Sequence, residues 1–125
     1  MNRQILGTTT RSYVQGLKVS DGQSLVFISG QIARDEKDVV YAPDNLEQQA
    51  RYIFTNIEKL VNEAGGTLRN VVKIVAYVTT LEAYGSYNTI RREFFGDHLP
   101  TSSTLQVTSL VTPGCVIEIE AIAVL

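Results

Sequence analysis

Residues Pro43 to Thr80 read PDNLEQQARYIFTNIEKLVNEAGGTLRNVVKIVAYVTT, a helix-like half followed by a strand-like half. In the first half Leu46, Ala50, Ile53, Ile57, Leu60 and Ala64 recur at steps of three and four, which draws one apolar stripe along a helix. Asp44, followed three places on by Glu47, has the form of a capping box with Asp where Ser or Thr is usual. Gly65 and Gly66 supply a left-handed stop. From Val71 onward the β-branched run VVKIVAYVTT predicts a strand. A helix with a single apolar stripe buries it against a second layer, most simply a sheet face.

Upstream, SYVQGLKV and QSLVFISG flank the turn signal Ser20-Asp21-Gly22, so a β-hairpin is expected there. Gln31 to Pro43, QIARDEKDVVYAP, is polar and irregular and reads as a surface loop. Downstream, a second helix is expected from about Glu82 to Phe95, with Tyr84, Tyr87, Ile90 and Phe94 on its apolar side and Arg91 and Arg92 on its solvated back. Two strands follow, STLQVTSL and CVIEIEAIAVL. The length of 125 residues fits a single domain, 1–125. On the last strand Ile117, Ile119, Ala121 and Ala123 share one face. The opposite face carries Val116, Glu118, Glu120 and Ile122; carboxylates flanked by Val and Ile suit a surface half covered by another chain.

Thirteen acidic against eleven basic residues give a net charge of −2, which offers no electrostatic case for nucleic acid or an anionic membrane. One histidine, His98, and one cysteine, Cys115, are too few for a metal site. No cofactor is called for. A lone cysteine favours a reducing compartment, and no signal peptide or membrane span is read, so a cytoplasmic location is expected.

The segments SYVQG, VFISGQI, NIEKLVNEAGGTLRNVVKIVAYVTTL, YNTIRREFF, Pro100 and IEIEAIAV, in this order and with nearly uninterrupted spacing, resemble the RidA/YjgF family of reactive-intermediate deaminases. That resemblance implies a two-layer α+β fold similar to chorismate mutase, with two helices on one face of a mixed sheet. It also implies a homotrimeric barrel with a small-molecule cleft between neighbouring subunits, where imines and enamines are hydrolysed to a carbonyl product and ammonia. By the same resemblance Tyr13 matches the cleft tyrosine. Ser29, Gly30 and Gln31 match a stretch that ends at the cleft, Asn88 an asparagine at the start of the second helix, and Glu118 the carboxylate that handles water and protons.

The run Thr101-Ser102-Ser103-Thr104 departs from that pattern. Ser102 stands where deaminating members carry the arginine that grips a substrate carboxylate, and Thr104 where many carry a cysteine. Ser102, Ser103 and Thr104 are therefore expected to line the cleft, with substrate choice altered by the missing guanidinium. Arg34, just past SGQIA, and Arg11, beside Tyr13, are the candidate replacements. The alternative is a binding or regulatory protein that keeps the cleft without turnover. A ribonuclease or translation inhibitor is disfavoured by the acidic balance and the lack of a histidine pair.

Overall fold

The computed structural model describes residues 1–7, 13–22 and 24–125. Its centre is a four-stranded sheet built from β3 (Leu25–Gln31), β4 (Val71–Val78), β5 (Thr101–Gln106) and β6 (Ile117–Val124), in the order β3-β6-β4-β5. β6 runs antiparallel to both neighbours, while β4 and β5 are parallel. Parallel neighbours need a crossover, and α2 (Tyr84–Phe95) supplies it. α1 (Leu46–Glu63) lies beside α2. The result is two helices against a mixed sheet, as expected.

The face of the sheet toward the helices is written by alternation: Ile74, Ala76 and Val78 of β4 and Ile117, Ile119, Ala121 and Ala123 of β6 are buried. Phe54 of α1 is the hub between the two helices, with its ring centroid 5.3–6.1 Å from those of Tyr87, Phe94 and Phe95 of α2. The α1 stripe includes Leu46, Ala50, Ile53 and Ile57 as read, but continues through Phe54 and Val61. Leu60, in the last turn, is exposed, and Ala64 is the C-cap because the helix ends at Glu63. Gly65, at φ +96°, gives the left-handed stop.

Three expectations are corrected. The cap of α1 is Asn45, whose Oδ1 accepts from the Gln48 amide at 3.0 Å, rather than Asp44. The expected hairpin does not form: β2 (Gly16–Ser20) pairs antiparallel with β1 (Asn2–Leu6) as a separate ribbon, and β3 pairs with β6 instead. β3 has Val26 and Ile28 facing the core, so its best partner is the most buried strand, not the polar LKVS of β2. Arg3 fixes the ribbon to the body, donating to the carbonyls of Arg69, Val71 and Leu99 at the starts of β4 and β5. The third correction concerns Arg91. It is not on a solvated back but 1% exposed against the sheet.

Candidate functional site

The expected site residues fall into two groups at opposite edges of the sheet. On β3 the pairing with β6 shifts register between Ile28 and Gln31, leaving Ser29 and Gly30 in a bulge. Glu118 of β6 lies against this bulge. A Cβ built on Gly30 would stand 2.5 Å from the Glu118 Oε2, so only glycine leaves room for the carboxylate there. The Gln31 side chain turns back to donate to the Ser29 carbonyl at 2.9 Å. Glu120, two residues on, accepts from the Tyr77 hydroxyl at 2.8 Å and so is engaged in cross-strand support.

Arg34 leaves this same edge. Its guanidinium donates to the Thr112 hydroxyl at 2.9 Å and faces Asp38 at 3.5 Å, tying the 31–43 loop to the loop before β6. Cys115 is buried next to these groups, and burial pushes its thiol upward against the lowering influence of Arg34. It sits in the turn ahead of β6, not within a strand as expected. Arg11 lies outside the described residues.

The second group gathers at β5, the other edge. Ser102 pairs in register with Ile74 and Thr104 with Ala76, so both hydroxyls point to the helix side. Ser103, between them, faces the open side and is exposed. Arg91 of α2 reaches under β5, its Nη1 donating to the Ser102 Oγ at 2.7 Å and its Nη2 to the Asn88 Oδ1 at 2.6 Å. The guanidinium carbon also lies 5.5 Å from the ring centre of Tyr13 and 5.0 Å from that of Tyr87. Tyr87 is fully buried, and burial pushes its hydroxyl up to about 12, against smaller lowering influences from Arg91 and the nearby Thr104. Neither the Tyr87 nor the Thr104 hydroxyl reaches hydrogen-bonding geometry with a protein partner among the described residues.

Tyr13, Asn88, Ser102 and Thr104 are thus brought together, with Arg91 at their centre. A recess of about 390 Å³ opens in front of them, lined by Tyr13, Gln15, Lys73, Thr101, Ser102 and Ser103. The backbone before β2 closes its rim, since the Val14 amide donates to the Pro100 carbonyl at 3.1 Å. Sequence reasoning missed Arg91 because a charged residue was assigned to solvent by type. Its spacing did carry a signal: position 91 is four after Tyr87 and four before Phe95, both buried.

Gly30 and Glu118 do not meet this group within one chain. β3, with Gly30, is separated from β5 by two strands, roughly 14 Å at the usual strand spacing, and β6, with Glu118, by one strand, roughly 10 Å. Among the described residues no set of three His, Cys, Asp or Glu side chains is arranged to hold a metal ion, and no helix is long and apolar enough to cross a membrane. His98 lies beside Asp97 and Arg69 at the end of α2.

The family described as Endoribonuclease L-PSP matches residues 6–125, nearly the whole chain. The chain belongs to that family, the RidA/YjgF group. It is 32% identical over 99 residues to the 2-iminobutanoate/2-iminopropanoate deaminase of Rattus norvegicus, covering 79% of this chain and 72% of that one. A RutC family protein of Pyrococcus abyssi is 31% identical over 111 residues, covering 89% of this chain and 84% of the relative. Among solved structures, RidA from Psychrobacter superposes with a TM-score of 0.74 at 30% identity, covering 94% of this chain and 92% of that one. A Rid protein from Yersinia pestis superposes over the full length of both chains with a TM-score of 0.86 at 23% identity, a likeness of fold.

Proposed function

We propose that this RidA-family chain is a cytoplasmic hydrolase of imines or enamines, working in a cleft formed between copies of itself in a homotrimer. The observation that carries the reading is Glu118 standing against Gly30 at the β3 edge, in the position the family resemblance gives to the proton-handling carboxylate. The kinship to an iminobutanoate deaminase points the same way. Hydrolysis of an imine needs little machinery: a held electrophile, a water and a group to carry protons. Glu118 takes a proton from water as the oxygen bonds to the imine carbon. It then returns that proton to the amine nitrogen of the carbinolamine and takes up the remaining hydroxyl proton as the carbon–nitrogen bond breaks, giving a carbonyl compound and ammonia.

The β5 group of a neighbouring copy holds the ligand, with Tyr13, Asn88, Ser102, Ser103 and Thr104 at the contact and Gly30 and Gln31 shaping the opposite wall. Arg34 supports that wall through Thr112 and Asp38. Substrate choice differs from deaminating members because Ser102 presents a hydroxyl where they present a guanidinium. RNA is a poor fit to an acidic chain with a single histidine.

The test is to generate 2-iminobutanoate in situ with an amino-acid oxidase and follow its decay. The native chain is expected to accelerate decay, and Glu118→Gln to lose about 10²- to 10⁴-fold of that acceleration. No acceleration of any imine supplied, together with tight binding of a ligand in the cleft, would make the chain a binding protein instead.

A further inference from the structure

The Gly30 bulge bounds Glu118 on the β3 side, and on the β4 side its partner in register is Tyr77. Ala76, Val78, Ile117 and Ile119 are buried toward the helices, so Tyr77 and Glu118 stand together on the open side of the sheet. Residues opposed in this way carry their Cβ atoms about 4.5–5.5 Å apart. The Tyr77 hydroxyl does not stop at its own partner. It reaches along the sheet to Glu120, two residues on, and donates to Oε1 at 2.8 Å. We infer that Tyr77 is a positioning residue for Glu118, its ring pinned by Glu120 so that the Glu118 carboxylate stays turned toward the Gly30 bulge. The inference rests on Glu118 being the proton carrier of the cleft.

The diagonal bond fixes the ring at both ends. Its Cβ is set by the β4 backbone and its oxygen by Glu120, so the ring cannot swing off the sheet without giving up a bond to a carboxylate. A glutamate on this face chooses among a few staggered directions. The ring fills the direction across β4, while the direction across β3 is left open by a residue without a Cβ. Narrowing that choice keeps a proton carrier in its working place, where a shift of about 1 Å costs rate.

The hydroxyl is suited to a fixed donor. Its hydrogen bond to Glu120, then burial, then the charges of Glu120 and Glu118 raise it above the ordinary tyrosine value. It therefore stays protonated at neutral pH and donates. A phenol has one hydrogen to give. With that hydrogen on Glu120, Tyr77 acts on Glu118 through its bulk and not through a hydrogen bond. Phenylalanine would fill the same space without the pin, and the test turns on that difference.

Turnover of oxidase-generated 2-iminobutanoate, with kcat and KM resolved, is measured beside a crystal structure of each variant. Tyr77→Phe is expected to lower kcat about tenfold and to leave KM within about twofold, because the ring bears on the proton carrier and not on the ligand. Glu120→Met removes the acceptor and should give the same loss, and the double variant no more than either, since all three lack one and the same bond. Glu120→Gln keeps a carbonyl oxygen for the hydroxyl and should recover part of that loss. In crystals of Tyr77→Phe and Glu120→Met the Glu118 carboxylate should have left Gly30. A native kcat in Tyr77→Phe, a loss confined to KM, losses that multiply in the double variant, or Glu118 still against Gly30 in both crystals overturns the inference. The hydrolase reading fails separately. A native chain that turns over no imine defeats it, while a displaced carboxylate in the crystals still upholds Tyr77; native turnover that Tyr77→Phe leaves intact does the reverse.

Discussion

Gly30 and Glu118 are close in space, and neither residue alone says so. The glycine's value is the missing Cβ, which would lie 2.5 Å from the carboxylate. Because the clash is with the end of a flexible side chain, Gly30→Ala should fold, with a thermal midpoint within a few degrees of native, yet swing Glu118 out of place. Turnover of an oxidase-generated imine should fall at least about tenfold with little change in circular dichroism; native turnover would show that the position of Glu118 is immaterial. Both residues were legible from a family pattern. Arg91 was not, because residue type argued for solvent and only its spacing from Tyr87 and Phe95 argued for the core. A buried cation is the kind of local exception that sequence rules miss at functional places.

Elements are held by a few polar clamps as well as by apolar packing. Gln49 of α1 donates to the carbonyls of Tyr41, Ala42 and Gly114 at 2.8–3.2 Å and accepts from the Val116 amide at 2.9 Å. It thereby ties the entrance of α1 to the entrance of β6, the strand that carries Glu118. Gln49→Leu strands those buried groups, and chemical denaturation should show a loss of about 2–4 kcal/mol. A loss under about 0.5 kcal/mol would mean that water replaces the clamp.

On the surface, Arg51 of α1 meets Glu93 of α2 at 2.7 Å, and this contact holds the Glu93 carboxyl below its usual range. A lowered carboxyl contributes stability above its unfolded pKa and loses it as pH falls through the folded one. Glu93→Gln should therefore lower the thermal midpoint slightly at pH 7, with the difference from native closing below about pH 4. A difference that persists in acid would assign the effect to packing. At this scale periodicity served well for α1, β4 and β6. Pairing partners were harder: β2 joined β1, because strand pairing depends on what each face must bury and not on closeness in the chain.

The whole molecule leaves the sheet face away from the helices uncovered, with Phe27 72%, Leu25 63% and Leu105 46% exposed. Apolar exposure of this kind marks an interaction surface. Glu118 and Glu120 share that face, as the alternation in β6 indicated. If the face closes a trimer, Phe27→Glu should reduce the mass in solution scattering from three chains to one, with helical content retained. An unaltered mass would exclude this face from assembly.

Glu118 faces the open side of β6 while Ser102 faces the helix side of β5, with β4 between them, so a small ligand that touches both must do so through two chains. Mixed assemblies measure this directly. Glu118→Gln protomers and protomers carrying Asn88→Ala with Ser102→Ala should each be inactive toward dilute 2-iminobutanoate. Unfolded together in equal amounts and refolded, they should regain about a quarter of native activity, the share of clefts that draw both intact halves from neighbouring chains. Activity no higher than that of the two parent variants would contradict a cleft shared between subunits.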